Sequence, residues 1–418
     1  MTMSNSPNIL VIGGGVIGCS VAYELARRGN AVTVVDKGRI GHGCSYGNAG
    51  WLVPAHAMPL PMPGAVGQAL QWMTKKDSPL YLKPRFSPSM ALWLIRFMRC
   101  ANERHLTYAA PALVKLALRT LVLMESFIEE HGGDDLDFRK RDLLYVCRSK
   151  QGLQHALREL EIVRDLGLQG VQLSSRQLKE REPLIAGETA GGLLLEDQAQ
   201  IEPLRFVEAL AGEARQLAAT FLPNTEVHAI EAGGNRVTRV ITSGGDFTPD
   251  EVVLAAGSWT APLARLLNLR VPIQAGKGYA LIVTGVEQQP SRCLFLVESK
   301  VAVTPRIGSL RIAGTMELAG LDESMNQVRV EAIRRAAHTY LDLPTSVETV
   351  ETWCGLRPCT PDGVPMIGRN DHWKNVTLAA GHAMLGLTLS MGTGELVAQL
   401  LNGEDTITNP TPFKTSRF

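Results

Sequence analysis

Three glycines near the start of the chain have a spacing that suits nucleotide chemistry. Gly13, Gly15 and Gly18 give the pattern G-x-G-x-x-G, which follows a β-branched run and precedes a helical pattern. Gly13 permits a tight turn, Gly15 lets backbone N–H groups approach a pyrophosphate, and Gly18 lets the helix pack against the strand. The helix would then present its positive N-terminal end to negative charge. The pattern predicts a dinucleotide-binding turn, and a purely structural glycine turn is the alternative.

An acidic residue stands where the second strand of this unit should end. The apolar run at 31–35 is typical of a buried strand and ends at Asp36, whose carboxylate can accept hydrogen bonds from ribose hydroxyls. Residues 8–36 therefore predict one βαβ half-unit. The second half that NAD-binding chains usually add is not evident after it. Instead, residues 253–257 end a later apolar strand in a small-residue turn, where backbone could approach a nucleotide a second time.

One arginine near the C-terminus is suited to bind a carboxylate. Arg357 lies inside the sequence G-L-R-P, and its planar guanidinium matches a carboxylate with two parallel hydrogen bonds, as a lysine cannot. We expect Arg357 to bind a substrate carboxylate. The alternative is an ion pair with Asp362 or another carboxylate, although the P-D-G sequence around Asp362 is typical of a turn.

Composition narrows the class of protein. The 418 residues suffice for two to three domains, and 42 basic against 41 acidic residues leave a net charge of +1, which gives no general attraction to nucleic acid. The seven cysteines include no CxxC pair, so neither a disulfide framework nor a metal site is expected. The first eight residues are polar, and no signal peptide is expected there.

Two apolar segments need separate interpretation. Residues 40–74 contain no Asp, Glu, Lys or Arg, and their prolines exclude a long helix. We expect this segment to pack over a cofactor, with an exposed contact surface as the alternative. Residues 112–128 are also apolar but carry Lys115, Arg119 and Glu125, which predicts an amphipathic helix and not a membrane span.

The remaining pattern alternates between helices and strands without repeats. Helices are predicted over 89–108, 111–131, 151–166, 203–217, 323–341 and 393–401. Strands are predicted over 226–230, 236–242, 251–254, 278–283, 293–303, 310–313 and 376–379, with hairpin turns at the two Gly-Gly pairs, 233–234 and 244–245. No low-complexity linker separates these parts, so we expect domains that are interleaved in sequence.

Taken together, the motifs resemble the D-amino-acid oxidase superfamily, and most closely the bacterial D-amino-acid dehydrogenase family. The similar segments span nearly the whole chain: the glycine turn at 13–18, then 45–50, 60–64, 192–195, 255–259, 277–279, 355–358, 360–363 and 381–388. The resemblance implies an α/β (α+β) fold. In that fold, a glutathione-reductase-like Rossmann FAD-binding domain is interleaved with a mixed-sheet substrate domain.

The resemblance also implies a division of the chain and a cofactor. The FAD-binding domain would comprise 1–60, 170–262 and 345–418, and the substrate-binding domain 61–169 and 263–344. FAD would be bound non-covalently, although related sarcosine oxidases attach their flavin to a cysteine near the position of Cys354.

By this resemblance, the predicted FAD contacts come from the glycine turn and from five further segments. They are Gly13, Gly15, Val16, Ile17, Gly18, Asp36, Lys37, Cys44, Ser45, Asn48, Ala49, Gly50, Val227, Ala256, Gly257, Trp259, Gly381, His382, Leu385, Gly386 and Thr388. Two positions depart from the family pattern. Asp36 stands where flavoproteins often have Glu, and Cys44 replaces a threonine, which weakens any side-chain hydrogen bond to phosphate there.

Three residues are expected to contact the substrate. By direct match, Arg357 takes the family's carboxylate-binding role. Tyr279 is a candidate for the same carboxylate, with a half-buried strand tyrosine as the alternative. His56 is a candidate pocket contact, although a lone histidine is more often structural.

The implied reaction is the oxidation of D-amino acids, D-proline and hydroxyproline types included. Hydride would pass from the substrate Cα to flavin N5, and the imino acid formed would hydrolyse to a 2-oxo acid and ammonia, or be a cyclic imine where the substrate is of the proline type. Such chemistry needs orientation and a dry pocket more than an acid–base pair. A glycine- or sarcosine-type oxidase that uses oxygen, or a flavin subunit of a larger complex, are the alternatives.

The resemblance extends to the partners of the protein. The electrons would go to a quinone or an electron-transfer partner. The expected location is cytoplasmic, with peripheral contact at the inner face of the plasma membrane as a family feature.

Overall fold

A computed structural model of the chain describes residues 7–65, 67, 78–83, 87–344 and 346–418. Part of the uncharged 40–74 segment, residues 66 and 68–74, lies outside these ranges, so its predicted packing is described only for the remainder. In that remainder, Trp51, Leu52 and Val53 are buried.

The described strands and helices have the following bounds. The strands are β1 Asn8–Ile12, β2 Ala31–Val35, β3 Trp51–Leu52, β4 Leu80–Leu82, β5 Arg139–Lys140, β6 Leu143–Cys147, β7 Gly170–Leu173, β8 Gly191–Leu195, β9 Ala199–Gln200, β10 Thr220–Leu222, β11 Val227–Gly233, β12 Arg236–Thr242, β13 Gly245–Phe247, β14 Glu251–Leu254, β15 Gln274–Thr284, β16 Cys293–Leu296, β17 Val301–Arg306, β18 Ser309–Leu318, β19 Glu348–Cys359, β20 Met366–Arg369 and β21 Val376–Ala380. The helices are α1 Val16–Arg27, α2 Pro88–Cys100, α3 Glu103–His131, α4 Lys150–Asp165, α5 Ser175–Arg181, α6 Pro203–Gln216, α7 Thr260–Arg265, α8 Gln327–Tyr340 and α9 Ser390–Asn402.

The predicted βαβ unit forms the centre of a six-stranded sheet. Its strand order is β10-β2-β1-β14-β21-β20, parallel throughout except for the β20–β21 pair. Helix α1 can lie close to β1 because Gly18 has no side chain: a Cβ there would stand 1.8 Å from the Gly13 carbonyl oxygen. The sheet therefore presents the glycine turn at the carboxyl ends of β1 and β14, where α/β sheets bind ligands.

A larger, mostly antiparallel sheet faces this unit. Its order is β19-β15-β18-β17-β16-β6-β8-β7, with β4 beside β18. One face, which we call the α8 face, carries Tyr279, Leu281 and Val303, which pack against Ile333 of α8. Because side chains alternate along a strand, Ala302 and Thr304 project from the other face, which we call the loop face.

The strand pairing differs from the predicted division of the chain at two places. Strands β7 and β8, within 170–195, and strand β19 all lie in the larger sheet, although the division placed them in the FAD-binding domain. The sheet to which a strand belongs is decided by its pairing with strands that are distant in sequence, and the local sequence does not indicate this pairing. The rest of the proposed division stays a prediction.

Local predictions agree with the structure at turns and disagree at two boundaries. Both Gly-Gly hairpins are confirmed by the β11–β12–β13 pairing. The run predicted as one strand at 293–303 is a hairpin of β16 and β17, with Lys300 left-handed at φ 51°. The predicted helix break near Pro111 is wrong: Pro111 lies inside α3, which begins after Asn102, whose side chain accepts the His105 N–H.

One described helix, α3, is long and apolar enough to cross a membrane by length and composition alone. Its Leu113, Leu116 and Phe127 are buried in the core that also contains α1 and α9. Val122 on its other side is 52% exposed. One side of α3 therefore lies in the protein core, and the side that carries Val122 is exposed.

Candidate active site

The glycine turn forms a backbone cradle at the start of α1. Gly13 has φ 113°, and a Cβ there would lie 2.8 Å from the Cα of Ala256, so the two predicted backbone approaches meet. Helix α1 has no side-chain cap at Gly15 and no acidic residue in its first turn. A Cβ on Gly15 would stand 3.3 Å from the Ser45 hydroxyl. Val16 and Ile17 continue this turn as its first helical residues. This cradle suits an anionic group.

The Asp36 carboxylate lies beside the cradle, as predicted. One oxygen accepts the Gly14 N–H at 2.7 Å and the other accepts the Gly38 N–H at 2.8 Å. Each carboxylate oxygen retains a further lone pair, which a ribose hydroxyl can use. The Asp36 carbonyl accepts the N–H of Thr225, two residues before Val227, so the chain at Val227 begins next to this carboxylate.

The second backbone approach follows β14. Gly257 is left-handed at φ 53° and starts a short 3-10 turn that ends at Trp259. The Lys37 ammonium lies 3.8 Å from the centre of the Trp259 ring. The Ser258 hydroxyl donates to the Leu356 carbonyl at 2.9 Å, which ties this turn to β19 of the larger sheet. Lys37 and Trp259 therefore form a cation–π contact with each other in the described structure.

Residues 45–50, which we call the 45–50 loop, lie against the loop face of the larger sheet. The Thr304 hydroxyl donates to the Ala49 carbonyl at 2.7 Å, and the Arg311 guanidinium donates to the Asn48 carbonyl at 2.9 Å. The Asn48 side chain accepts the Gly50 N–H at 2.9 Å and closes the end of the loop. These bonds use main-chain oxygens, so they leave the outer surface of the loop to a ligand.

A buried ion cluster supports Arg311. The guanidinium is 4% exposed and donates to the Glu202 carboxylate at 2.9 Å, and Arg306 donates to the other oxygen at 2.8 Å. Glu202 immediately precedes α6, which packs on α1. The cluster therefore connects the loop face to the helices beneath the six-stranded sheet.

The start of the 45–50 loop also contacts α1. The Ser45 hydroxyl accepts the Val16 N–H at 2.9 Å, so it caps the first turn of the helix in the described structure. Burial raises the pKa of the Cys44 thiol to about 11, although Arg357 acts in the opposite direction. Cys44 is therefore a neutral thiol within electrostatic reach of Arg357.

The segment between β21 and α9 brings the remaining predicted cofactor contacts together. Gly381 has φ 92°, and a Cβ there would lie 2.5 Å from the Thr360 side chain. His382 is buried, bonds to the Thr393 hydroxyl at 3.0 Å, and has its pKa lowered to about 3 by burial. The Thr388 hydroxyl donates to the Trp51 carbonyl at 2.9 Å.

Between them, Leu385 and Gly386 end a short 3-10 turn that leads toward α9. The segment is thus fixed to both the core and β3, and a ligand contact at its residues stays a prediction.

Arg357 lies on the loop face, with its guanidinium across the neighbouring strand. It donates to the Thr315 carbonyl at 2.6 Å, and a Cβ on Gly278 would stand 2.0 Å from it. The alternative pairing with Asp362 is contradicted, because Asp362 binds Arg417 at 2.6 Å. Across the described ranges no carboxylate pairs with Arg357, so its charge is available to a ligand.

The Thr315 carbonyl reaches Arg357 because the strand is irregular there. The register of β15 against β18 shifts next to Tyr279, and Thr315 is left-handed at φ 60°. A β-branched residue in this region is strained by about 1–3 kcal/mol. Such an outlier, in contact with the Arg357 guanidinium, is typical of a binding site.

Tyr279 lies on the other face of the sheet from Arg357. Its ring is fully buried on the α8 face, and its hydroxyl donates to Glu317 at 3.1 Å. Burial, with a further contribution from Glu317, raises its pKa well above the usual value. The expectation that Tyr279 and Arg357 share one carboxylate does not fit this geometry. The alternative, a tyrosine that packs within the strand, fits this geometry, because successive residues of a strand point to opposite faces of the sheet.

His56 belongs to an aromatic cluster on the loop face. Its ring lies 5.1 Å from Phe295 and 6.3 Å from Trp51, and its Nδ1 hydrogen-bonds to the Tyr145 hydroxyl. Burial among these rings lowers the pKa of His56. A pocket contact by His56 remains a prediction.

The sequence reasoning missed Arg311, Thr304 and Trp353. Arg311 had one available signal, since a charged residue stands inside the apolar run of β18. No signal in the sequence indicated the role of Trp353, because that role depends on two glycines that lack a side chain. The indole lies over both Gly355 and Gly47, where a Cβ would clash with the ring at 1.9 Å.

The family comparison agrees with this geometry. A family model described as FAD dependent oxidoreductase matches residues 8–400. The chain belongs to this family of FAD-dependent oxidoreductases. The cradle at Gly13, Gly15 and Gly18, with Asp36 beside it, fits the pyrophosphate and ribose of FAD, because the first turn of α1 carries no acidic residue that would repel phosphate and the Asp36 carboxylate can accept ribose hydroxyls.

Several relatives align over nearly the whole chain. The D-amino acid dehydrogenase of Paramagnetospirillum magneticum is 33% identical over 403 residues, which cover 94% of this chain and 95% of that protein. The D-amino acid dehydrogenase of Chromohalobacter salexigens is 32% identical, with 98% and 99% covered. Glycine oxidase from Geobacillus kaustophilus has a TM-score of 0.81 at 24% identity, covering 99% of this chain and 100% of its own. That likeness shows the fold.

The ion cluster gives a first prediction. Glu202→Gln removes the charge that Arg311 and Arg306 share but keeps the size of the side chain. Because neutralising one partner leaves buried charge uncompensated, we expect the free energy of unfolding to fall by about 3 kcal/mol, measured by urea denaturation with saturating FAD. In the control Glu180→Gln, which breaks an exposed ion pair, the change should stay below about 1 kcal/mol. Equal losses in both variants would contradict the structural role of the cluster.

The buried His382 gives a second prediction. Its pKa is about 3 in the folded protein and about 6.5 when unfolded, so between these values the unfolded chain binds one more proton. The free energy of unfolding should therefore decrease as the pH falls from 6.5 toward 3, by at most about 1.4 kcal/mol per pH unit from this group. His382→Gln should reduce that slope, and His338→Gln, at an exposed position, should not. The measurement is urea denaturation at a series of pH values, and identical slopes in all three proteins would disprove it.

Proposed function

We propose that this protein oxidises D-amino acids to imino acids, which hydrolyse to 2-oxo acids and ammonia, and that it oxidises cyclic D-imino acids of the proline type to cyclic imines, which retain their nitrogen. One observation carries the proposal: Arg357 offers a guanidinium on the loop face that pairs with none of the described carboxylates. The relatives named D-amino acid dehydrogenase support the substrate class. The family supports FAD as the electron acceptor within the protein.

The residues of the chain contribute binding, orientation and exclusion of water. Arg357 would hold the substrate carboxylate, and the Thr315 carbonyl fixes the direction of the guanidinium. His56 is held neutral by its surroundings, so it can accept a hydrogen bond from a substrate amine. When bound, FAD supplies a two-electron acceptor for the oxidation.

We also infer that FAD is held without a covalent bond to Cys354. Cys354 is directly opposite Tyr279 in the β15–β19 ladder, so both side chains project from the α8 face. Burial raises the pKa of the Cys354 thiol to about 11, which leaves it neutral. Both points support non-covalent binding.

For the onward transfer of electrons we propose a quinone or an electron-transfer partner, reached from the cytoplasmic side of a membrane. The dehydrogenase names of the relatives support an acceptor other than oxygen. On α2, Leu92, Ile95 and Met98 follow one another at helical spacing and are 44–50% exposed. An apolar stripe of this kind supports peripheral contact with a membrane.

Anaerobic reduction tests the proposed reaction. We expect single D-amino acids to bleach the visible flavin absorbance of the purified holoenzyme, and the L-enantiomers to leave it unchanged. Proline and hydroxyproline isomers belong in the series. A soluble quinone analogue should then restore the absorbance faster than air does. If no amino acid bleaches a protein that carries its full FAD, the proposal is wrong.

Arg357→Lys tests the carboxylate contact. A lysine keeps the charge but cannot form two parallel hydrogen bonds, so the amino acid concentration for half-maximal flavin reduction should rise at least about tenfold. Arg334→Lys, at an exposed position on α8, is the matched control and should behave as the wild type. Equal half-saturation in all three proteins would exclude Arg357 from substrate binding.

A further inference from the structure

A single row of side chains crosses the loop face of the larger sheet. The registers of successive strands pair Trp353 with Ala280, Ala280 with Ala313, Ala313 with Ala302, Ala302 with Phe295, and Phe295 with Tyr145. Residues directly opposite each other project from the same face. The row therefore has three alanines at its centre and aromatic rings at both ends.

The alanines lie between the two groups that define the site. On one side, the Arg357 guanidinium lies above Gly278, two residues before Ala280 on the same strand. On the other side, Arg311 lies two residues before Ala313 and holds the 45–50 loop. Ala280 and Ala313 are only 2% and 6% exposed, so a ligand whose carboxylate binds Arg357 and which faces that loop would meet the row at Ala302, its partly exposed member.

The Trp353 end of the row is closed. The indole covers Gly355, the direct partner of Gly278, and extends over Gly47 of the 45–50 loop. Its ring therefore fills the space between sheet and loop beside the Arg357 guanidinium. A substrate side chain cannot extend in this direction.

The opposite direction is less closely covered. Ala302 is only partly buried although β16 and β18 flank its strand on both sides, and it packs against the cluster that contains Phe295. The next residue in the row, Phe295, is 8% exposed and forms the far wall with His56, whose ring is 5.1 Å away. The Lys300 ammonium lies 5.3 Å from the Phe295 ring, and the Glu159 carboxylate hydrogen-bonds to the Tyr145 hydroxyl, so charges of both signs flank this end.

We propose that the row from Ala313 through Ala302 to Phe295 receives the substrate side chain at its partly exposed member, Ala302, and selects apolar side chains over charged ones. This inference rests on the proposed function. The Thr315 carbonyl, which orients Arg357, belongs to β18. Ala302 lies on β17, the next strand, and Phe295 on β16, the one after it, so β18 and β16 are about 10 Å apart at the usual spacing. Such a space accepts leucine, methionine or phenylalanine side chains. A lysine or arginine side chain would lose its hydration among these alanine and aromatic side chains, which disfavours it.

The test compares substrates within each protein, so that overall activity cancels. In the wild type, kcat/KM for D-leucine should exceed that for D-arginine at least about tenfold. Ala302→Val adds bulk to the floor with a residue that strands accept, and it should lower the ratio of kcat/KM for D-leucine to D-alanine about tenfold. The matched control is Ala232→Val, the same change at an exposed position of β11, which should leave the ratio unchanged.

A second variant covers the case in which Ala302→Val loses FAD. Ala302→Gly removes a methyl group, and it should raise the ratio of kcat/KM for D-phenylalanine to D-leucine at least about threefold. If wild-type flavin is reduced by D-amino acids but neither variant alters these ratios, the inference is overturned and the proposed function stands. If no amino acid reduces the wild-type flavin, both are overturned.

Discussion

Two hydrogen bonds to main-chain carbonyls hold the nucleotide-binding part of the chain against the larger sheet. Thr304 and Arg311 bind the oxygens of Ala49 and Asn48, and the buried charge of Arg311 is compensated by Glu202 at the start of α6. The glycine turn belongs to one sheet and Arg357 to the other, so these bonds, together with the Ser258 bond to the Leu356 carbonyl, fix the separation at which both can act on one ligand. A buried ion cluster is costly to form, and its position between the two sheets explains why this chain retains one.

The shape of the site is determined largely by glycines, which have no side chain. The Arg357 guanidinium and the Trp353 indole lie flat on the sheet because Gly278 and Gly355, which are direct partners, have no Cβ to lift them. Two planar groups thus lie side by side with few ways to rotate. Little conformational entropy then remains to be lost when a ligand binds, which is the physical meaning of a preorganised site.

The sequence predicts those parts of the site whose chemistry is local. The glycine turn, Asp36 and Arg357 could be found because each acts within a short, recognisable segment. Which face of the sheet Tyr279 occupies could not be predicted, since one residue of strand register reverses the direction of a side chain. The role of Arg311 could not be read, because its partner is a backbone carbonyl 263 positions away. The membership of β7, β8 and β19 in the larger sheet likewise depends on pairing between distant strands.

The acceptor that orients Arg357 belongs to the main chain. The Thr315 carbonyl points at the guanidinium because the ladder is irregular at that position, and the identity of the side chain at 315 does not create this geometry. Substitution there can therefore alter the surroundings of the pocket while the direction of the guanidinium persists. Carboxylate recognition and side-chain preference are thus separable in this fold, so related chains can diverge in the amino acids they accept without giving up their common anchor.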